Sequence, residues 1–474
     1  MMRDTTTHVV RDPVLARLQA EVIAAGLCTH CGTCSGLSPA GLEMRETPRG
    51  PLPFCRSEQH PPLPEAAFTA CPGKGINYPD MCRFTFDAQP DNWLVGCYRN
   101  IFVGYSGVPA VRRGGASGGV ITQTLLYLLE QNYIQGAVVV RQGQPRPWLA
   151  QPVIARTADE IMAAGQSVYI PVPVNTLLDQ MAAFDGRLAY VGLPDQVAAL
   201  RYLQYLEHPG AAKVDYVLGP YVGTNNYLEA IASYLRSHGI HRLEEIVELR
   251  YREGEWPGYL QIKTRSGQVL KAEKFYYNYL IPFYITYSTL MSVDFTNELT
   301  DISVGDAWSP RYESQGGGFS VVVARSAKGE QLLADMHRQK LLHLEEIAVD
   351  QALTMHGHML DFKKRGTFIR MNWRRLQGKH IPDYGYRPTH IPLMRQLTEA
   401  VITAIFAMCC TLPARRLVEL VPLAIIGPIF DTLRKSWKRL SKPVKRKGLQ
   451  TASFATWSAH VERNSTPHTR QGSR

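Results

Sequence analysis

A chain of 474 residues exceeds what one typical core organises, so two or three units are expected. With 45% apolar and 20% charged residues, the composition excludes a disordered or fibrous chain. The net charge of +11 is concentrated in residues 434–447, RKSWKRLSKPVKRK, which hold eight Lys or Arg and no acid; the basicity belongs to a tail, and a nucleic-acid partner is not expected.

The opening residues, MMRDTTTHVVRDPVLARL, lack the apolar run of a secretory signal, so a cytoplasmic protein is expected. Residues 13–26 read as a short helix leading into a Pro-rich segment that carries most of the nine cysteines. CTHCGTC at 28–34 sets three of them at Cys-x2-Cys-x2-Cys, and a remote Cys71-Pro72 follows in ACPGKG. Structural zinc usually takes two Cys-x-x-Cys pairs or a Cys/His mixture, whereas three close cysteines plus a distant Cys-Pro match the ferredoxin-type wrapping of one cubane. The ligand set read from this spacing is Cys28, Cys31, Cys34 and Cys71 around one 4Fe-4S cluster; zinc, with His30 drawn in from the loop, is the competing metal. Cys55, Cys82 and Cys97 lack the spacing and read as small buried apolar residues.

RRGGASGG (112–119) lies between the strand IFVGYS and the apolar helix VITQTLLYLLEQNY. Gly114, Gly115, Gly118 and Gly119, with Ser117, would let backbone N–H groups approach a phosphate, and Arg112 and Arg113 would neutralise its charge. A plain strand-to-helix turn is the alternative. GAVVVRQ, GRLAYVGLP with DQVAALRYLQYLE, and KVDYVLGPYVG with NNYLEAIASYLRSHG continue the strand and helix pattern. After residue 243 strands dominate: LQIKTRSGQVLKA reads as a hairpin turning at Ser-Gly, and FSVVVARS as a further strand. The expected fold class is mixed α/β (α+β), an α/β body with an appended sheet. Asp301, Gly305, Asp306 and Trp308 in DISVGDAW, and Arg252, Trp256 and Gly258 in REGEWPG, are candidate pocket residues with turn chemistry as the competing reading. Asp195, directly before QVAALRYL, reads as a helix N-cap, with a general acid as the competing reading. No G-x-S-x-G or comparable nucleophile arrangement points to a hydrolase.

LTEAVITAIFAMCCTL (397–412) and LVELVPLAIIGPIF (417–430) are apolar, and each is too short to span a bilayer. With the basic run behind them, residues 397–447 read either as an anchor on anionic lipid, peripheral at the inner membrane surface, or as a helical hairpin packed on the body. The polar residues 449–474 are expected to be disordered.

In order, CTHCGTC, CPG, GGASGGVITQTLLYLL, GQSVYIPV, YVGLPDQVAAL, EWPG, DFTNELTDISVGDAW and GGFSVVVARSAKG resemble the family of coenzyme F420 hydrogenase/dehydrogenase beta subunits, over about residues 25–385. The relatives of that family include 7-hydroxymethyl chlorophyll a reductase and the cyanobacterial divinyl reductase. The resemblance implies an FAD-binding body joined to the N-terminal cluster. It makes the 112–119 loop part of the flavin phosphate site, with Ser167, Tyr169 and Gln196 near that pocket. It further implies electrons passing between the cluster, served by ferredoxin or a partner redox subunit, and a flavin that reduces or oxidises a small organic substrate or deazaflavin coenzyme. A non-catalytic electron-transfer or scaffold subunit is the alternative. Where many relatives carry cysteines this chain has Asp195, Tyr221, Thr289 and Ser292, so one cluster rather than two is expected. The expected division is a ferredoxin-like iron–sulfur segment (1–98), an α/β flavin-binding region (99–243), the rest of the body (244–390), an apolar and basic helical tail (391–448) and the disordered end (449–474).

Overall fold

The computed structural model describes residues 12–57, 61–273 and 278–458. The chain enters through the helix Pro13–Arg17, capped by Asp12, whose carboxylate accepts from the N–H groups of Val14, Leu15 and Leu63. A wider helical turn, Leu18–Ile23, leads to the cysteine loop, the helix Thr33–Leu37 and an antiparallel hairpin of β1 (Leu42–Arg45) and β2 (Leu52–Cys55). This segment shares its core with the body: Leu18, Val22, Leu27 and Met81 pack in one cluster with Val174, Leu178, Tyr190 and Leu200.

The body continues with β3 (Asn100–Ser106), β4 (Gly136–Gln142), β5 (Ala150–Ala155), β6 (Leu188–Val191) and β7 (Val214–Pro220). A meander follows, β8 (Ile246–Glu253), β9 (Tyr259–Thr264) and β10 (Val269–Glu273), then β11 (Ile302–Asp306), β12 (Ser320–Ala324) and β13 (Leu342–Glu346). Eight strands form one sheet in the order β13-β3-β12-β11-β7-β6-β4-β5. β4, β6, β7 and β11 pair in parallel; β12, β13 and β5 run against their neighbours, so β3 points the same way as the parallel four. Five strands therefore deliver their carboxyl ends to one edge of the sheet, where α/β proteins commonly place a ligand.

The Val-rich runs make these strands because both faces are covered. Val138 of β4 joins Leu188 and Leu200 on one side, while Ala137 and Val139 join Val120, Leu128 and Leu332 on the other. The meander is the expected appended sheet; Leu249, Leu260 and Ile262 pack on Ile231 and Leu235 of the helix Glu229–Arg236.

Three consecutive helices, Leu393–Cys409, Leu412–Glu419 and Leu423–Arg446, close the chain, followed by β15 (Phe454–Thr456), which pairs with β14 (Tyr386–Pro388). Disorder expected from residue 449 does not begin there. Phe454 packs its ring edge on Tyr386, and the Trp457 N–H donates to the Gly385 carbonyl, so two aromatics in a polar stretch hold it down. Residues 459–474 lie outside the described residues. Among the described residues, no single helix is long and apolar enough to cross a membrane.

Candidate iron–sulfur and flavin sites

The cysteine loop turns at Gly32, which sits at φ +84° as the N-cap of the helix Thr33–Leu37. That geometry swings Cys34 back beside Cys28 and Cys31, and Cys71 arrives from the turn preceding Pro72–Lys74. The four thiols line one small pocket walled by Leu18, Val22, Met44 and Pro53. Burial pushes every one of them up, and mutual repulsion adds to the effect on Cys28, Cys34 and Cys71, the last reaching about 12. Working against this, backbone N–H groups donate to the sulfurs: His30 to Cys28, Thr33 to Cys31, Ser35 to Cys34, and Gly73 and Lys74 to Cys71. Four crowded thiols, one buried and three half-buried, each addressed by at least one N–H donor, are a set whose anionic form is stabilised by cationic metal. Among the described residues, no three His, Cys, Asp or Glu side chains close on a single point as one metal ion requires.

His30 stands apart from this pocket. Its Nδ1–H donates to the Pro51 carbonyl at 2.9 Å, its ring lies over Gly50 and edge-on to Tyr227, and burial lowers its pKa. It ties the β1–β2 turn to the cysteine loop as a neutral imidazole. Cys55 lies half-buried in β2, whereas Cys82 and Cys97 are buried and hydrogen-bonded to each other, a pairing the sequence reading did not foresee.

Asn175, fully buried, fastens the cysteine loop to the carboxyl edge of the sheet. Its backbone N–H donates to the Cys31 carbonyl, and its side-chain amide donates to Thr33 Oγ1 at 3.0 Å and the Gln196 carbonyl at 3.2 Å. Its Oδ1 accepts from the Tyr190 hydroxyl of β6. No sequence motif announces Asn175; its partners are 15 and more residues away.

Three of the four residues Asp195, Tyr221, Thr289 and Ser292 come together. Asp195 hydrogen-bonds Ser292, and Lys363 donates to the Thr289 carbonyl at 2.8 Å. Burial pushes the Asp195 carboxyl up and the Lys363 ammonium down, and their mutual attraction opposes both shifts. Asp195 is thus not the expected N-cap: Leu193 occupies that place, and the Asp195 side chain turns toward Ser292. Tyr221 sits elsewhere, against Phe295 and His356. Two mutually attracting titratable groups, Asp195 and Lys363, stand beside Thr289 and Ser292, and Lys363 is the member that sequence reading missed.

The glycine loop lies at the same sheet edge, after β3. Residues Pro109–Gly114 are helical, so the loop proper is 115–119 before the helix Val120–Glu130. Several expected phosphate donors are engaged within the protein. Arg112 donates to the Gly317 and Gly318 carbonyls and stacks on Tyr105, Ser117 Oγ donates to the Phe319 carbonyl, and the Gly118 N–H donates to Ser320 Oγ. Arg113 is exposed, and Gly114 and Gly115 are half-buried. Gly114 meets Gly165 so closely that a Cβ on Gly165 would stand 3.1 Å from the Gly114 carbonyl oxygen, which brings Gln166 and Ser167 beside the loop. The buried Gln166 Oε1 has no hydrogen-bond partner. Tyr169, edge-on to Tyr251, continues this wall. Gln196 is not gathered here; its amide accepts from the Leu193 N–H and donates to the Val172 carbonyl.

REGEWPG and VGDAW also converge on this edge. Asp306, at the end of β11, accepts from Arg252 and from Trp256 Nε1 at 2.7 Å, Trp256 lies against Trp308, and Glu255 accepts from the Gly317 N–H. Asp301 is at the other end of β11, bound to Arg201 and the Val217 N–H, and serves the fold.

Residues 101–179 match the model of the N-terminal region of the coenzyme F420 hydrogenase/dehydrogenase beta subunit, and residues 185–350 match that of its C terminus. The chain is 26% identical over 381 residues to the coenzyme F420-dependent sulfite reductase of Methanocaldococcus jannaschii, covering 77% of this chain and 54% of that protein, so it spans about half of that relative's length. It is 24% identical to the coenzyme F420 hydrogenase subunit beta of Methanothermobacter thermautotrophicus (51% of this chain, 82% of that one) and 27% identical to the chloroplastic 7-hydroxymethyl chlorophyll a reductase of Oryza sativa subsp. japonica (52% and 51%). A solved structure of the F420-reducing [NiFe] hydrogenase complex from Methanosarcina barkeri contains a chain with a TM-score of 0.48 and 21% identity, covering 60% of this chain and 96% of that one. The cysteine-bearing segment precedes both matched regions, and the body it packs against identifies the chain as a member of the coenzyme F420 hydrogenase/dehydrogenase beta subunit family.

Proposed function

We propose that this chain is an oxidoreductase, or the redox subunit of one, that carries one 4Fe-4S cluster on Cys28, Cys31, Cys34 and Cys71 and FAD at the carboxyl edge of the sheet. The observation that carries the reading is the set of four thiols, Cys31 buried and the other three half-buried, around one pocket, each with an N–H donor aimed at its sulfur. The donor set fits a cluster, because thiolates forced together in an apolar pocket need metal to be stable. The orphaned Gln166 Oε1, beside the close Gly114–Gly165 approach, fits a ligand bearing N–H or O–H donors, as FAD does. When bound, the cluster would supply one-electron transfer and the flavin two-electron hydride transfer.

The residues present do the rest. Asn175 and Tyr190 hold the cysteine loop against β6, and the walls Leu18, Val22 and Met44 exclude water from the sulfurs. Asp306 fixes Arg252 and Trp256, so that the two tryptophans keep one side of the crevice apolar. A small organic substrate or deazaflavin coenzyme, and ferredoxin or a partner redox subunit, are the proposed reactants. Iron, sulfide and flavin per chain of anaerobically purified protein test the reading: about four irons and one flavin are expected, with loss of iron when any one of the four cysteines becomes Ser. Full iron in all four variants would refute it.

A second reading, a non-catalytic electron-transfer or scaffold subunit, rests on the non-thiol residues Asp195, Tyr221, Thr289 and Ser292 standing where the family resemblance implies cysteines. Flavin reduction that requires an added partner protein would select that reading.

A further inference from the structure

A helix on a protein surface in water buries its apolar side and exposes its charges. Leu393–Cys409 does the reverse. Its inward face holds Arg395 and Glu399, both fully buried, with Ile402 and Phe406 further along; Arg395 pairs with Asp361 at 2.7 Å and with Glu399 at 2.8 Å, and Glu399 also pairs with Arg370. Its outward residues are Leu393, Met394, Leu397, Val401, Ile405 and Met408, at spacings of three and four along one face, with Leu393 69% and Met408 64% exposed. The ionic network fixes this orientation, because turning the helix over would strip Asp361 of a buried partner.

The next two helices continue the pattern. Leu412, Leu417 and Leu420 are exposed on the second, which is held from inside by Glu419 bonded to Arg236 at 2.6 Å and by Arg415 on the Phe283 carbonyl. Ile425, Ile429, Leu433 and Leu440 are exposed on the third, whose latter half presents Lys435, Arg439 and Lys442 to solvent, with Asp431 the single acid of that helix.

We infer that these three helices dock the protein on the surface of an anionic lipid bilayer, their outward leucines, isoleucines and methionines entering the acyl boundary and the cations of residues 435–447 contacting headgroups. The outward apolar residues are spread along three helices, the first two bent by 72° to each other, and among the described residues no single helix is long and apolar enough to cross. Shallow burial of separate stripes flanked by Lys and Arg is the chemistry of interfacial binding. The inference is independent of the redox reading, since it uses neither the cysteines nor the crevice.

The test is co-flotation of the full chain with vesicles of phosphatidylcholine alone and of phosphatidylcholine with phosphatidylglycerol, at low and high salt. The protein should float with the anionic vesicles and be released by salt. Leu397→Gln/Val401→Gln/Ile405→Gln should weaken binding by at least about tenfold at unchanged iron content, since these side chains are exposed and lie outside the buried clusters. Lys435→Glu/Arg439→Glu/Lys442→Glu should abolish the preference for anionic lipid. Equal binding by wild type and the apolar triple variant would overturn the inference. So would a dimer in light scattering that dissociates in the triple variant without vesicle binding, because a second copy would then cover the face. Binding that resists alkaline extraction would show insertion of the bent pair and overturn surface docking.

Discussion

Replacing Asn175 by Ala tests whether the body organises the cysteine loop. Asn175 is fully buried and serves three polar partners through its side chain: Thr33 Oγ1, the Gln196 carbonyl and the Tyr190 hydroxyl. The truncation removes two donated hydrogen bonds at about 1 kcal/mol each and strands the buried Tyr190 hydroxyl at about 1–3 kcal/mol, so a loss of about 3–5 kcal/mol is expected. The stranded hydroxyl is the separable part. Adding Tyr190→Phe should restore about 1–2 kcal/mol, because an apolar pair without unmet hydrogen-bonding groups is far less costly than half of a polar one. Urea unfolding followed by tryptophan fluorescence measures the stability, and iron per chain measures the loop. Iron should fall in the single variant and partly recover in the double one. A single variant within about 0.5 kcal/mol of wild type, or a Tyr190→Phe change that adds a further loss to Asn175→Ala, would refute the reasoning.

Three further outcomes follow from the geometry. Gly32→Ala places a Cβ 2.9 Å from Pro173 Cβ and from its carbonyl oxygen at a φ of +84°, and should cost about 2–4 kcal/mol with loss of iron, read by urea unfolding and metal content. Asp301 should show an acid signature. Burial alone would push its carboxyl up, but Arg201 at 3.1 Å, Lys328 at 3.4 Å and the Val217 N–H hold it below the usual carboxylate range. A depressed folded pKa gives stability that is present above the unfolded value of about 3.9 and is lost as pH falls through the folded one. The stability gap between wild type and Asp301→Asn, measured by urea unfolding, should therefore shrink below about pH 4, and a pH-independent gap would contradict it. Asp306→Ala should lower flavin per chain while iron per chain holds, because Asp306 fixes Arg252 and Trp256, and none of the three lines the thiol pocket.

The sequence by itself determined what local pattern can encode. Uninterrupted Val runs built β4 and β12, a Ser-Gly turn built the β9–β10 hairpin, and Cys-x2-Cys-x2-Cys with a remote Cys-Pro named four thiols that do line one pocket. It passed over β5 and β13 for one reason. Both are edges of the eight-stranded sheet, where Pro152 and the polar residues His343, Glu345 and Glu346 are tolerated, so neither shows the apolar signature of a central strand. Only the tertiary structure decided which distant residues complete each site. Asn175 for the cysteine loop, Lys363 for Asp195, and Asp361 with Arg370 for the inward charges of Leu393–Cys409 all lie tens to hundreds of residues from the groups they serve. A buried charge or amide is stable only when its partners arrive, and that arrival is a property of chain packing that no window of neighbouring residues contains.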